Sequence, residues 1–388
     1  MNYKIRILAL LLLISVGVVS CRKEPTKPQE ETKEGIEVAT LKRVDDTFQG
    51  FYLLNEGAFQ SNKSSLDYAN FLTGRYIHNV FGLRNPNKVK ELGDTGNDLK
   101  IYGSKLYIVV NGSHKVEILD AYTARHIAQI DIPSGRYINF HKQYAYVSSY
   151  ANPQGSDANA PGVVYRIDTA SLQTRGIVEV GYQPEEMEVI NDFLYVVNSG
   201  GYRAPNYDKT ISVIDLNSFV KQKDFTVALN MHRMRKDAHN ALWISSRGNY
   251  KDVPSNLHCV RYDAVSQASP HVEDLNIPVN NMAIDKDYLY FTSSLFDNTT
   301  KKQENRFGIV KISTRKLFKE NFISDGTEQK IKSPYGLAIH PTTGEIFIMD
   351  AGDFTSSGTL FIYTKEGVLK AQIPTGDIPN GIVFLPKR

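Results

Sequence analysis

Seven short runs of the same shape recur along the chain: "FYLLNE", "LYIVVN", "AYVSSY", "LYVVNS", "LWISSR", "LYFTSS" and "IFIMDA". The second residue of each is aromatic: Tyr52, Tyr107, Tyr146, Tyr195, Trp243, Tyr290 and Phe347, at spacings of 55, 39, 49, 48, 47 and 57 residues. That period in a β-rich sequence is the length of one four-stranded propeller blade with loops of varying size. A second apolar strand follows each run, as in "KVEILD", "VVYRID" or "TLFIYT", and another precedes it, as in "NDLKIYGSK" or "YGLAIHPTTGE". Four of the following strands end on aspartate, at Asp120, Asp168, Asp215 and Asp263, where the chain has to turn. Helical periodicity is nearly absent from about residue 47 onward, so the class is all-β. Runs such as "LYIVV" are apolar throughout, as expected for sheets covered on both faces. A two-sheet sandwich accounts for alternation but not for seven aromatic echoes at near-equal spacing.

The last nine residues, "NGIVFLPKR", make a turn and one apolar strand with nothing after it. An apolar edge left open would invite aggregation, so its partner has to lie elsewhere in the chain. This tail matches the innermost strand of a blade, and the first blade, which starts at "GFYLLNEG", has none of its own. The expectation is a seven-bladed β-propeller over residues 47–388, each blade four antiparallel strands, closed by Gly381–Leu385 pairing beside Phe51–Asn55.

The N-terminus is a separate matter. Residues 1–20 carry Lys4 and Arg6 ahead of an apolar run, which reads as a secretion signal. Val18, Val19, Ser20 and Cys21 resemble the lipobox of bacterial lipoproteins, which implies lipidation at Cys21. Residues 21–46, beginning "CRKEPTKPQEETKEG", hold few large apolar groups and read as a flexible tether. With Cys21 carrying lipid, Cys259 has no intramolecular disulfide partner; inside an apolar strand it reads as a small buried hydrophobe. The formal charge of +3 lacks the basic excess of a nucleic-acid binder.

The stretch "FYLLNEGAFQSNKSSLDYANFLTG", followed by "LGDTGNDLKIYGSKLYIVVNGSHKVEILDAYTAR", resembles the YncE-like, surface-layer-type propellers found as lipoproteins in Bacteroidetes. Some members of that broad group resemble the cobalamin-capturing BtuG lipoproteins, which work beside a TonB-dependent outer-membrane transporter. The resemblance implies a lipid-anchored protein at the outer membrane, exposed on the cell surface. It also implies a corrinoid ligand, a transporter partner, and no resident cofactor. Arg22 follows the cysteine where inner-membrane retention favours aspartate, in keeping with that location.

In a propeller, the loops joining strand two to strand three share a face with the connections between blades, around the channel mouth where ligands are met. Here those loops are long, as in "SYANPQGSDANAPG", "NSGGYRAPNYDKT", "SSRGNYKDVPSNL", "SSLFDNTTKKQENR" and "DAGDFTSSG", while the opposite hairpins are mostly short. The candidate rim is Tyr150, Tyr202, Arg203, Tyr207, Arg247, Tyr250, Phe296 and Phe354: aromatic faces among adaptable amides, suited to a large amphipathic ligand or a protein surface. A second group starts the inner strands and faces the channel. It comprises Asn97, Asp98, Arg136, Glu185, Glu186, His232, Asn280, Asn281, Tyr335 and Asn380; of these, Asn97, Arg136, Asn281 and Tyr335 complete the predicted binding set. Nucleophile elbows, P-loops, zinc-helix motifs and C-x-x-C pairs are all absent, so the expected role is binding without catalysis. One enzyme class stays open: "SPYGLAIHPTTGEIFIMDAGD" is similar to the repeat of gluconolactonase-like propellers, which implies calcium-type ligands at Glu185 or Glu186, Asn281 and Asp350. A protein-interaction platform is the third alternative, since the fold alone does not decide among functions.

Overall fold

The computed structural model describes residues 34–43, 47–151, 157–266, 268–297 and 302–388. The expected signal, Cys21 and most of the expected tether lie outside these residues. From Gly35 onward the strands assemble into seven antiparallel sheets, six of four strands and one of five. The inner strands are Pro379–Pro386 in blade 1, Gly96–Tyr102 in blade 2, Gly135–His141 in blade 3 and Pro184–Ile190 in blade 4. Met231–Lys236, Asn281–Asp285 and Pro334–Ile339 serve blades 5, 6 and 7. The fold is the expected all-β, seven-bladed propeller.

Closure occurs where the tail predicts it. Phe384, Val383, Ile382 and Gly381 stand opposite Phe51, Tyr52, Leu53 and Leu54, and Lys387 N–H donates to the Thr47 carbonyl at 2.9 Å. The strand that ends the chain is therefore the inner strand of the blade that begins it, and the ring has no terminal edge.

Seven apolar clusters hold the ring, one between each pair of neighbouring blades, and each contains one of the seven echoed aromatics. All seven rings are at most 5% exposed. Burying a side chain of this kind contributes about 1.5–3 kcal/mol. Three of them also fasten a polar group: Tyr52 Oη donates to the Ala121 carbonyl at 2.8 Å, Trp243 Nε1 to Asp237 Oδ2 at 2.9 Å, and Tyr195 Oη to the Tyr262 carbonyl at 3.4 Å. The strand-ending aspartates act as turn caps. Asp120 Oδ1 accepts from the Tyr122 and Thr123 amides, and Asp168, Asp215 and Asp263 repeat the device.

Three local features depart from expectation. The packed region starts before residue 47: Ile36–Glu37 pairs with Arg75–Ile77 at the outer edge of blade 1, and Leu41 is fully buried between blades 7 and 1. Backbone pairing of Ile36–Glu37 and the burial of Leu41 dock the end of the expected tether. A five-residue helix, Val80–Arg84, joins blades 1 and 2, its first turn capped by Asn79 Oδ1 accepting from the Gly82 amide. Finally, the connection expected as a loop in blade 6 is a ribbon, because Tyr288–Asp297 and Lys302–Lys311 stay paired from Tyr288–Lys311 up to Asp297–Lys302.

A bulged ring around the channel mouth

Inner strands do not pair with one another, so their free edges would leave backbone groups unsatisfied around the channel. Side chains from the neighbouring blade supply the partners. Asn380 Nδ2 donates to the Gly96 carbonyl and Asn281 Nδ2 to that of Tyr335, both at 2.8 Å, while Asn139 Nδ2 donates to Met187 at 2.7 Å. Asn97 Nδ2 gives the same bond to Arg136, and the Asp98 and Glu186 carboxylates accept from the Ile138 and Met234 amides at 2.9 and 2.7 Å. Asn97 and Asn281, read from the sequence as ligand contacts, thus spend their amides on joining blades. Asn281 lies beyond the mouth altogether, on the chamber below it.

Six of the inner strands carry one extra residue near their start, relative to the strand they pair with. In blades 1, 2 and 7 the extra residue is Asn380, Asn97 and Tyr335. In blades 3, 4 and 5 two residues oppose one: Arg136 and Tyr137 against Ser148, Glu185 and Glu186 against Val197, His232 and Arg233 against Ser245. A bulge bends its strand and re-aims its side chains. Here it lets adjacent residues reach the axis together, Glu185 toward the arginines of the mouth and Glu186 toward the chamber below it. Regular alternation would have sent them to opposite faces.

The result is two chambers along the axis. The mouth chamber, of about 250 Å³, is lined by Arg136, His232, Arg247, Tyr335 and Phe354 among others; the lower chamber, of about 350 Å³, is lined by Asp98, Lys100, Glu186, Glu188 and Arg235. Asn97, Tyr137, Arg233 and Asn380 line both and form the waist. Glu185, 2% exposed, accepts from Arg136 Nε and Nη2 at 3.1 and 3.0 Å and from Tyr150 Oη at 3.0 Å, with Arg247 Nη1 at 3.5 Å. Glu186 holds Arg233 at 2.9 Å and Arg235. Burial pushes the Glu186 carboxyl up, but Arg235 and Arg233 outweigh it and hold it below its ordinary range. Glu56 takes Tyr335 Oη at 2.9 Å and Asn380 Nδ2 at 3.2 Å, and burial raises its carboxyl. His232 shares a 3.0 Å bond with Tyr137 Oη, which also accepts from Arg233 Nη1 at 3.1 Å. Burial first, and then the surrounding arginines, push the His232 imidazole well below its usual value.

The predicted rim divides. Arg136, Arg247, Tyr335, Phe354 and the edge of Asn97 meet at the mouth. Arg203 and Tyr207 instead line a separate hollow of about 390 Å³ between blades 3 and 4, where the Arg203 guanidinium sits 3.6 Å over the Tyr182 ring. Tyr150 is 7% exposed and props Glu185, its ring edge-on to Tyr202 at 5.7 Å. Tyr202, Tyr250 and Phe354 are exposed by 52%, 71% and 43%. The side chain of Phe296 lies outside the described residues. Glu56, Tyr137, Arg233, Ser294 and Gln303 also line the mouth region but were not in the predicted set. Of these, Tyr137 and Arg233 each follow a residue that was named, so a bulge rule would have found them.

The metal set implied by the gluconolactonase likeness does not come together. Asp350 caps a turn, accepting from the Lys332, Ser333 and Gly352 amides, and both ends of the Asn281 amide are bonded to backbone. Glu185 and Glu186 face arginines. Among the described residues, no three His, Cys, Asp or Glu side chains converge as a metal site. Cys259 is 3% exposed, and burial pushes its thiol up to about 11.

Solved structures share the fold at low identity. A hypothetical selenium-binding protein from Sulfolobus tokodaii matches with a TM-score of 0.62 and 13% identity, covering 87% of this chain and 93% of that one. The periplasmic gluconolactonase of Pseudomonas aeruginosa matches with 0.57 and 10%, covering 86% and 99%. A quinonprotein alcohol dehydrogenase-like protein from Bacteroides thetaiotaomicron matches with 0.56 and 12%, covering 87% and 78%. No curated protein matches the sequence. Residues 49–375, nearly the whole ring, match one family, and the chain belongs to it: Domain of unknown function (DUF5074).

Proposed function

We infer that this propeller is a capture protein that performs no chemistry and holds a large amphipathic ligand across its long-loop face. The observation that carries the reading is the set of exposed aromatics on the long loops, Tyr202, Tyr250 and Phe354, of which Phe354 lines the polar mouth. Exposed rings beside fixed polar groups are what a flat ligand with an apolar body and an amide-rich edge requires. A corrinoid is the ligand we favour, on the likeness to cobalamin-capturing lipoproteins. The mouth chamber, at about 250 Å³, falls below the size of ordinary small-molecule pockets. A macrocycle therefore lies over the mouth, with only a substituent inside it. Anchored by lipid at Cys21 on the outer-membrane surface, the protein then passes its ligand to a TonB-dependent transporter.

Calorimetric titration of the purified full-length protein with cyanocobalamin tests this. Saturable heat with a shift in the visible spectrum is expected; silence at micromolar ligand overturns the corrinoid reading. Cell fractionation and co-purification with a transporter test the location and the partner.

A further inference from the structure

We propose that the mouth chamber is an oxyanion subsite, built to take one carboxylate or phosphate group of the ligand against Arg233 and Arg247. The proposal rests on the capture reading only in placing the ligand over this mouth. It comes from the distribution of charge and of unused hydrogen-bonding atoms.

Four guanidiniums, those of Arg136, Arg233, Arg235 and Arg247, approach the axis, and two carboxylates, Glu185 and Glu186, pair with all four. Of the charged side chains that line the mouth itself, three are arginines, Arg136, Arg233 and Arg247, and one is an acid, Glu56, which is bonded to two neutral donors, Tyr335 and Asn380. Guanidinium groups therefore outnumber carboxylates on the wall of the mouth, while Asp98 and Glu188 lie on the lower chamber. Burial first, and then those same arginines, push the His232 imidazole down, in keeping with that charge.

Unused donors point the same way. Arg233 Nε is buried and has no hydrogen-bond partner, and a donor left so in a protein interior is costly. Arg247 touches Glu185 through Nη1 alone, at 3.5 Å, and its side chain is 26% exposed. Guanidinium groups suit planar and tetrahedral oxyanions because their N–H groups form a fixed fork. Asn380 Oδ1 is buried and also has no partner, and its residue lines the same chamber as these donors. An anion that carries a hydroxyl or amide N–H next to its charge would meet both. The chamber's 250 Å³ is the liquid volume of about eight water molecules, enough for such a group and a short stem.

The test is calorimetry on wild type and on Arg247→Gln, Arg247→Lys and Arg233→Gln, with inorganic phosphate and with cyanocobalamin, whose phosphodiester supplies the oxyanion in that ligand. Thermal melts establish that each variant is folded, and Arg247→Gln serves if Arg233→Gln is not. The expected result is phosphate binding that weakens at least tenfold in Arg247→Gln, recovers in part in Arg247→Lys, and competes with cobalamin. If cobalamin binds wild type and Arg247→Gln equally and phosphate does not compete, the subsite is overturned while capture stands. If cobalamin fails to bind but phosphate binds in an arginine-dependent way, the subsite stands and the corrinoid reading falls. If neither ligand binds wild type, both fall.

Discussion

His232 shows what burial among like charges does to a single residue. Its imidazole is held neutral in the folded protein, while in the unfolded chain it takes a proton below about pH 6.5. Unfolding therefore takes up a proton in the window below that pH, and stability falls as the medium is acidified. Burial also lowers His258, which adds to the trend, whereas Asp67 raises His78, which opposes it. Glu56, Asp98 and Glu188 are raised by burial and act in the opposite sense, in the carboxylate range. Comparing His232→Gln with wild type isolates the one residue: between pH 7 and pH 5 the melting temperature of the variant should fall less than that of wild type. Cys259 gives a simpler check. Its apolar surroundings in the core between blades 5 and 6 predict no modification by a maleimide in native buffer at pH 8 and full modification in guanidinium chloride, read by peptide mass mapping.

Among elements, the strands were legible and their register was not. An apolar run with an aromatic in second place can be read locally, and so can an aspartate that ends a strand. A bulge is a mismatch between two strands, and nothing in "GRYINF" or "PEEMEV" alone says that one residue is surplus. For that reason the sequence points to Arg136 and His232 but not to their neighbours, Tyr137 and Arg233. The same reasoning explains blade 6, where "SSLF" and "QENRF" look like loop until they are set opposite each other. That ribbon stands above the sheet proper and contributes Ser294 and Gln303 to the mouth wall. Replacing Leu295–Glu304 by Asn-Gly closes it as a two-residue hairpin on the Ser294–Asn305 pair. The buried core of blade 6, from Leu289 to Thr292, is untouched by this change. The melting temperature should stay within a few degrees of wild type, with ligand affinity reduced severalfold by calorimetry.

For the whole molecule, closure distinguishes this ring from a linear array of similar units. An open stack that loses its last strand loses one nearest-neighbour interface and keeps the rest. Here the last strand belongs to the first blade and feeds two interfaces at once: Leu385 is packed in the core between blades 1 and 2, and Phe384 against the core between blades 7 and 1. Its loss also uncovers the whole edge of Phe48–Asn55, including fully buried Phe51 and Leu53. A chain stopped after Ile378 should therefore lose its cooperative thermal transition rather than melt a few degrees lower. Supplying residues 379–388 as a synthetic peptide should restore the transition, with a midpoint that climbs with peptide concentration, because the peptide binds the folded ring alone. Near-ultraviolet circular dichroism, dominated by 22 tyrosines and one tryptophan, reads both experiments. A truncated chain that melted cooperatively without peptide would mean that six blades and an unfinished seventh are stable as an open arc. The tail would then be an ornament of the first blade instead of the bond that makes the ring.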